Sequence, residues 1–222
     1  MLRLLLVATV LLVAGCTMVR PAPGSPSQAE VERLLNTVHV VDKRPDVRGY
    51  QRSCKPGDGC VFGPAWTDDT AAPMSHDGCD TRNNVLATQL KNVTFKPGTG
   101  DCVVLSGMLD DPYTGSTIEF SKAHAGKVQI DHIIPLAAAW DLGAARWPLE
   151  LRARFANDVD LNLLAVNGDS NQQKSDSTPS EWLPQPAYRC FYTAKYLAVA
   201  VSYGLPITKA DFAALQRISR TC

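Results

Sequence analysis

Three short segments carry residue types that could act together on one phosphate. They are Gln129-Ile130-Asp131-His132-Ile133-Ile134-Pro135, Asp160-Leu161-Asn162-Leu163-Leu164 and Ser170-Asn171-Gln172-Gln173-Lys174. Asp131 is a hard oxygen ligand beside a histidine that accepts a proton near neutral pH. Neighbouring residues of a strand face opposite ways, so Asp131 and His132 share a site only where the chain bends. Pro135, which cannot continue a ladder, marks such an end. Asn171 offers an amide oxygen at the start of a helix. Lys174, three residues on, lies on the same helical face and can bring an ammonium to a phosphate. Oxygen donors point to Mg²⁺ or Mn²⁺ ahead of zinc. One divalent ion on two protein ligands keeps positions open for water and phosphate, as phosphodiester hydrolysis requires. A lone Asp-His pair is common, whereas Asp-His, Asn-Leu and Asn-x-x-Lys in that order are far more specific.

The elements that must position these residues are short. Residues 128–131 and 161–166 read as strands, and residues 169–174 as the start of a helix. Upstream, Ser27-Gln28-Ala29-Glu30 reads as a capping box, followed by Val31, Leu34, Leu35 and Val38 on one helical face. Residues 41–78 are broken by Pro and Gly and read as loop. A helix is expected over 81–90, and strands over 102–109 and 117–120 around the turn Asp110-Asp111-Pro112-Tyr113-Thr114-Gly115. Residues 187–203 carry apolar side chains at helical spacing until Gly204 and Pro206, and Thr208-Lys209-Ala210-Asp211 caps a last helix. The expected class is α+β in a single domain.

Composition bounds the function. Lys+Arg and Asp+Glu both count 22, so bulk charge does not coat nucleic acid, and phosphate binding must come from a local patch or an ion. The apolar run at residues 4–14 follows Arg3 and is too short to span a bilayer comfortably, which suits an export signal. Val13-Ala14-Gly15-Cys16 resembles a lipobox whose Cys16 is lipidated; the alternative is a plain secretory signal cleaved near the same place. Either reading exports the chain, to a membrane-anchored or a secreted location. Removing Cys16 leaves six cysteines, Cys54, Cys60, Cys79, Cys102, Cys190 and Cys222, an even number that favours disulfides in an oxidising compartment. Sequence does not choose among their pairings, although local pairing of successive cysteines is the simplest. The expected organisation is a signal peptide over 1–15, a lipid-anchored tether over 16–29 and a catalytic domain over 30–222.

The three chemical segments resemble the HNH (ββα-metal) endonuclease motif in the variant whose last histidine is asparagine. By that resemblance Asp131 and Asn171 are metal ligands, His132 is the general base and Asn162 braces the hairpin loop, all within a core over 128–176. Asn171-Gln172-Gln173-Lys174-Ser175-Asp176 with Pro179-Ser180-Glu181 is also similar to the end of the HNH domain in RNA-guided CRISPR nucleases. A longer match covers most of the mature chain. Phe62-Gly63-Pro64-Ala65-Trp66, Cys79-Asp80-Thr81-Arg82-Asn83, Asp111-Pro112-Tyr113-Thr114-Gly115 and Phe155-Ala156-Asn157-Asp158 resemble secreted actinobacterial HNH proteins. Those proteins are related to the C-terminal nuclease domain of GmrSD-type restriction enzymes.

The expected activity is therefore metal-dependent hydrolysis of nucleic acid, DNA ahead of RNA, with little sequence preference. Lys174 adds charge neutralisation, and protonation of His132 abolishes activity at acid pH. The competing reading is a non-catalytic lipoprotein that uses the same fold as a binding module. No protein partner is implied. His39, His76 and His124 read as surface histidines, Asp160 as solvated, and the four tryptophans mainly as packing. Arg146, Arg152 and Arg154 line a phosphate groove or a solvated helix face; the sequence leaves both open.

Overall fold

Ser27 opens the first helix as its capping box requires: its Oγ accepts from the Glu30 backbone, and Glu30 Oε2 accepts from the Ser27 N–H. This is seen in a computed structural model that describes residues 20–222. The export signal and Cys16 lie outside the described residues. Helix α1 is Gln28–Leu35, and β1 is Val40–Val41. Residues 42–80 contain no helix or strand and are pinned by the Cys54–Cys60 disulfide. Helix α2 (Thr81–Gln89) is capped by Asp80, which accepts from the Asn83 N–H. Strands β2 (Lys91–Phe95), β3 (Val104–Asp110) and β4 (Thr117–Ser121) form an antiparallel meander. A second disulfide, Cys79–Cys102, clamps the start of α2 to the approach to β3.

Strand β5 (Val128–His132) then pairs antiparallel with β6 (Leu163–Asn167), His132 opposite Leu163 and Asp131 opposite Leu164. Between them the chain makes a long excursion through α3 (Leu136–Leu142) and α4 (Leu149–Ala156). Helix α5 (Gly168–Lys174) follows β6 directly, with Asn167 as its cap. Gly168 sits so close to the preceding segment that a Cβ there would lie 2.2 Å from the Gly126 carbonyl oxygen. Only glycine fits, and the approach sets the start of α5 against β5. Helix α6 (Arg189–Tyr203) ends at Gly204 in the left-handed conformation. Strand β7 (Ile207–Thr208) pairs parallel with β1, and α7 (Lys209–Ser219) carries a second capping box from Thr208 and Asp211. The Cys190–Cys222 disulfide joins α6 to the residues after α7.

Two apolar clusters flank the β5–β6 hairpin. One is built by α1, α3, α4, α6 and α7 and takes Ile133, Phe155, Val166, Tyr192 and Leu197. The other joins α2 to the meander and takes Val85, Leu86, Phe120, Val128, Ile130, Leu163 and Ala165. Strand β6 is packed on both sides and reads Leu-Leu-Ala-Val almost without a polar break, whereas β5 alternates, with Val128 and Ile130 in the second cluster and Gln129 and Asp131 on the cleft. Fully buried Phe155 anchors the excursion, and truncating such a residue costs about 3–5 kcal/mol. Helices α3 and α4 and strand β2 are absent from the sequence-based expectation. In α3, Leu136, Ala138, Ala139, Trp140 and Leu142 are all buried, so no polar face contrasts with an apolar one to set a period.

Candidate active site

The hairpin and α5 bring the three chemical segments together. Asp131, His132 and Asn171 line one open cleft of about 680 Å³, along with Tyr50, Arg52 and Asp176. The loop carrying Tyr50 and Arg52 is held there by Arg44, which pairs with Asp141 at 2.7 Å and Asp176 at 3.0 Å.

His132 is buried. Its Nε2 lies 2.9 Å from the Ala156 carbonyl oxygen. A carbonyl oxygen can only accept, so Nε2 carries the proton and Nδ1 keeps its lone pair. Trp66 stacks on the ring at 5.8 Å with an interplanar angle of 13°. Burial, then the positive charge of Arg52 and to a lesser degree that of Lys174, lowers the imidazole pKa to about 3 against the opposing effect of the Ala156 bond. Beside it lies a cavity of about 20 Å³, lined by His132, Trp66, Arg52 and Asn157, with room for one water. The Asn157 Oδ1 is buried and has no partner among the described residues.

Asp131 faces the other side of the strand. Its carboxylate accepts from Lys174 Nζ at 2.9 Å and 2.8 Å and from the Tyr113 hydroxyl. Lys174 Nζ also donates to the His132 carbonyl oxygen at 2.8 Å. Burial raises the Asp131 carboxyl against the pull of Lys174 and lowers the Lys174 ammonium against that of Asp131. Lys174 is therefore not the cleft-facing cation that helical spacing predicts. It is fully buried, its long side chain turning inward to the Asp131 carboxylate. Asn162 is buried and braces the excursion: its Oδ1 accepts from the Ile134 N–H at 3.0 Å and its Nδ2 donates to the Phe155 carbonyl. Asn171 Nδ2 donates to Gln129 Oε1 at 2.9 Å, which leaves its Oδ1 as a free oxygen donor among the described residues.

These donors fit a hard divalent ion. A carboxylate and an amide oxygen lining one cleft are the donor types such an ion takes, and Lys174 and Tyr113 already hold the Asp131 carboxylate at three of its roughly four lone-pair directions. Among the described residues no three His, Cys, Asp or Glu side chains gather as a metal site. An ion here would rest on two protein oxygens and otherwise on water, as Mg²⁺ does.

Residues 80–218 match the family described as GmrSD restriction endonucleases, C-terminal domain. The chain belongs to that family. The GmrSD C-terminal match spans Tyr113, Asp131, His132, Asn162, Asn171 and Lys174, while Arg52 and Trp66 precede it. A protein of Arthroderma benhamiae named "Uncharacterized secreted protein" is 34% identical over 202 residues, covering 90% of this chain and 88% of that one. No solved structure matches the chain. Beyond the three chemical segments, the site gains Tyr113 from within the GmrSD-type domain and Trp66 and Arg52 from the residues ahead of it. Arg152 instead bonds the Val61 and Trp147 carbonyls, and Arg82 bonds those of Ala125 and Val128, bracing the entry to β5. Asp160 is exposed.

Proposed function

We propose that the chain is a metal-dependent endonuclease that hydrolyses phosphodiester bonds of nucleic acid, with DNA as the preferred substrate and His132 as general base. The observation that carries this is the Nε2 bond to Ala156, which leaves a neutral Nδ1 lone pair in a residue lining the same cleft as Asp131 and Asn171. His132 accepts the proton of the attacking water at Nδ1, and Ala156 and Trp66 hold the ring in that tautomer and plane. Asp131 and Asn171 would hold Mg²⁺ or Mn²⁺, which when bound stabilises charge developing on the phosphoryl oxygens. Lys174 and Tyr113 act as positioning residues: they orient the Asp131 carboxylate and do not touch the phosphate. Arg52, on the cleft wall, adds a positive charge for the substrate backbone. Outside the described residues, Cys16 is read as a lipidation site that holds the exported chain on a membrane surface; three disulfides and the secreted relative support export.

The deciding experiment is plasmid digestion by the purified chain with Mg²⁺, Mn²⁺ or EDTA, beside His132→Ala prepared identically. Nicking that needs the metal and disappears in the variant is the expected result. Equal cleavage by both proteins would mean contamination. A folded, disulfide-bonded sample inert on both DNA and RNA would refute the assignment.

A further inference from the structure

A positively charged groove, separate from the catalytic cleft, lies where the described chain begins. Arg20, Arg189, Arg217 and Arg220 line it, over an apolar floor that includes Leu183 and Ile218; its volume is about 730 Å³. No carboxylate lines it, and among the described residues none of the four guanidinium groups has an acidic partner. Arg20, Arg217 and Arg220 are exposed, and Arg189 donates to the Pro184 carbonyl oxygen. Although the whole chain is neutral, residues 183–222 carry Arg189, Lys195, Lys209, Arg217 and Arg220 against one acid, Asp211, which is buried. Lys209 pairs with Asp42 at 2.8 Å and Lys195 donates to the Asp160 carbonyl oxygen, so the arginines of the groove carry this excess.

We infer that this groove docks the domain on an anionic bilayer by binding lipid phosphates. The position of Arg20 selects a bilayer over other polyanions. It stands four residues from Cys16, a span of at most about 14 Å even when fully extended. A chain anchored through Cys16 therefore holds the four arginines within a Debye length or two of the headgroups, where each basic side chain strengthens binding. The apolar floor suits the glycerol and upper acyl region beneath a phosphate, and the arginine stems cover it. A single lipid chain gives only marginal attachment, so a cationic patch beside it supplies the second contact that stable anchoring needs.

The inference takes from the anchored reading only the nearness of residue 16 to a membrane. The test therefore uses unlipidated protein, so that failed lipidation and a failed groove are seen separately. Residues 16–222 carrying Cys16→Ser are sedimented with vesicles of phosphatidylglycerol and phosphatidylcholine, or of phosphatidylcholine alone. Binding is expected only to the anionic vesicles and should weaken as salt rises. Arg189→Gln/Arg217→Gln/Arg220→Gln should lower the partition coefficient on the order of 100-fold. The double variant Arg217→Gln/Arg220→Gln, which leaves the Arg189 backbone contact intact, should show an intermediate loss. Lys96→Gln/Lys122→Gln/Lys127→Gln, with the same change in net charge, should bind as the parent does. Plasmid cleavage in solution should be unchanged in the arginine variants. Absence of binding to anionic vesicles, or equal binding by parent and triple variant, overturns the proposal. If the triple variant instead loses affinity for duplex DNA with vesicle binding intact, the groove belongs to the substrate.

Discussion

The imidazole of His132, stacked under Trp66 and facing Arg52, responds to pH unlike a free histidine. Its pKa of about 3 in the folded chain compares with an ordinary 6.5. Above about pH 6.5 neither the folded nor the unfolded chain holds the proton. Below it the unfolded chain takes up a proton that the folded chain refuses, so stability falls with acidity until about pH 3. At about 1.4 kcal/mol per unit the loss reaches about 3 kcal/mol near pH 4.5, and urea unfolding of metal-free protein should show it shrinking in His132→Gln. The expectation from sequence ties acid inactivation to an ordinary imidazole; burial shifts it. Single-turnover cleavage should accordingly show no loss centred near pH 6.5 that belongs to this base. The Asp131–Lys174 pair gives a second prediction. Lys174→Met strands a buried carboxylate and should cost about 3–5 kcal/mol, while Asp131→Asn/Lys174→Met should recover most of it in thermal unfolding. At this scale the grouping of Asp131, His132, Asn162 and Asn171 is legible from type and order, and of Lys174 only its membership, not its burial against Asp131. Tyr113 and Trp66 are not, because they reach the site from 18 and 66 positions away through packing that sequence does not display.

Elements deliver these residues through contacts that one side chain can break. Asn162 joins the end of the excursion to its beginning, holding the Ile134 N–H and the Phe155 carbonyl. Asn162→Ala leaves two buried backbone groups short of a partner, at about 1–3 kcal/mol each when no water replaces the amide. The expected outcome is a lower unfolding midpoint and a loss of cleavage larger than the loss of folded protein, since Ile134 lies two residues beyond His132, the last residue of its strand. Circular dichroism and plasmid nicking on the same sample check it. Capped elements such as α1, α2 and α7 announce themselves, because Ser27, Asp80 and Thr208 make the hydrogen bonds their types favour. Helix α3 does not, since it is buried almost all round, and β2 has no clean alternation, since its residues are only half-buried or exposed.

The whole molecule combines two cores with three cross-links placed at their margins. Cys190–Cys222, separated by 32 residues in sequence, should contribute about 4 kcal/mol through the unfolded chain. Cys190→Ser/Cys222→Ser should therefore lower the denaturant midpoint while leaving cleavage by the remaining folded fraction unchanged. The long excursion between β5 and β6 has a further effect, on the order in which the chain assembles. His132 and Leu163 are adjacent in space, but residues 133–162 must be gathered before they meet, whereas the turn between β3 and β4 closes across residues 111–116. Closure entropy rises with the length of the loop, so the meander zips early and the β5–β6 hairpin late. On the proposed reading, a chain still in transit to its compartment carries every catalytic residue and none of their geometry, and it becomes dangerous to nucleic acid only after it has arrived.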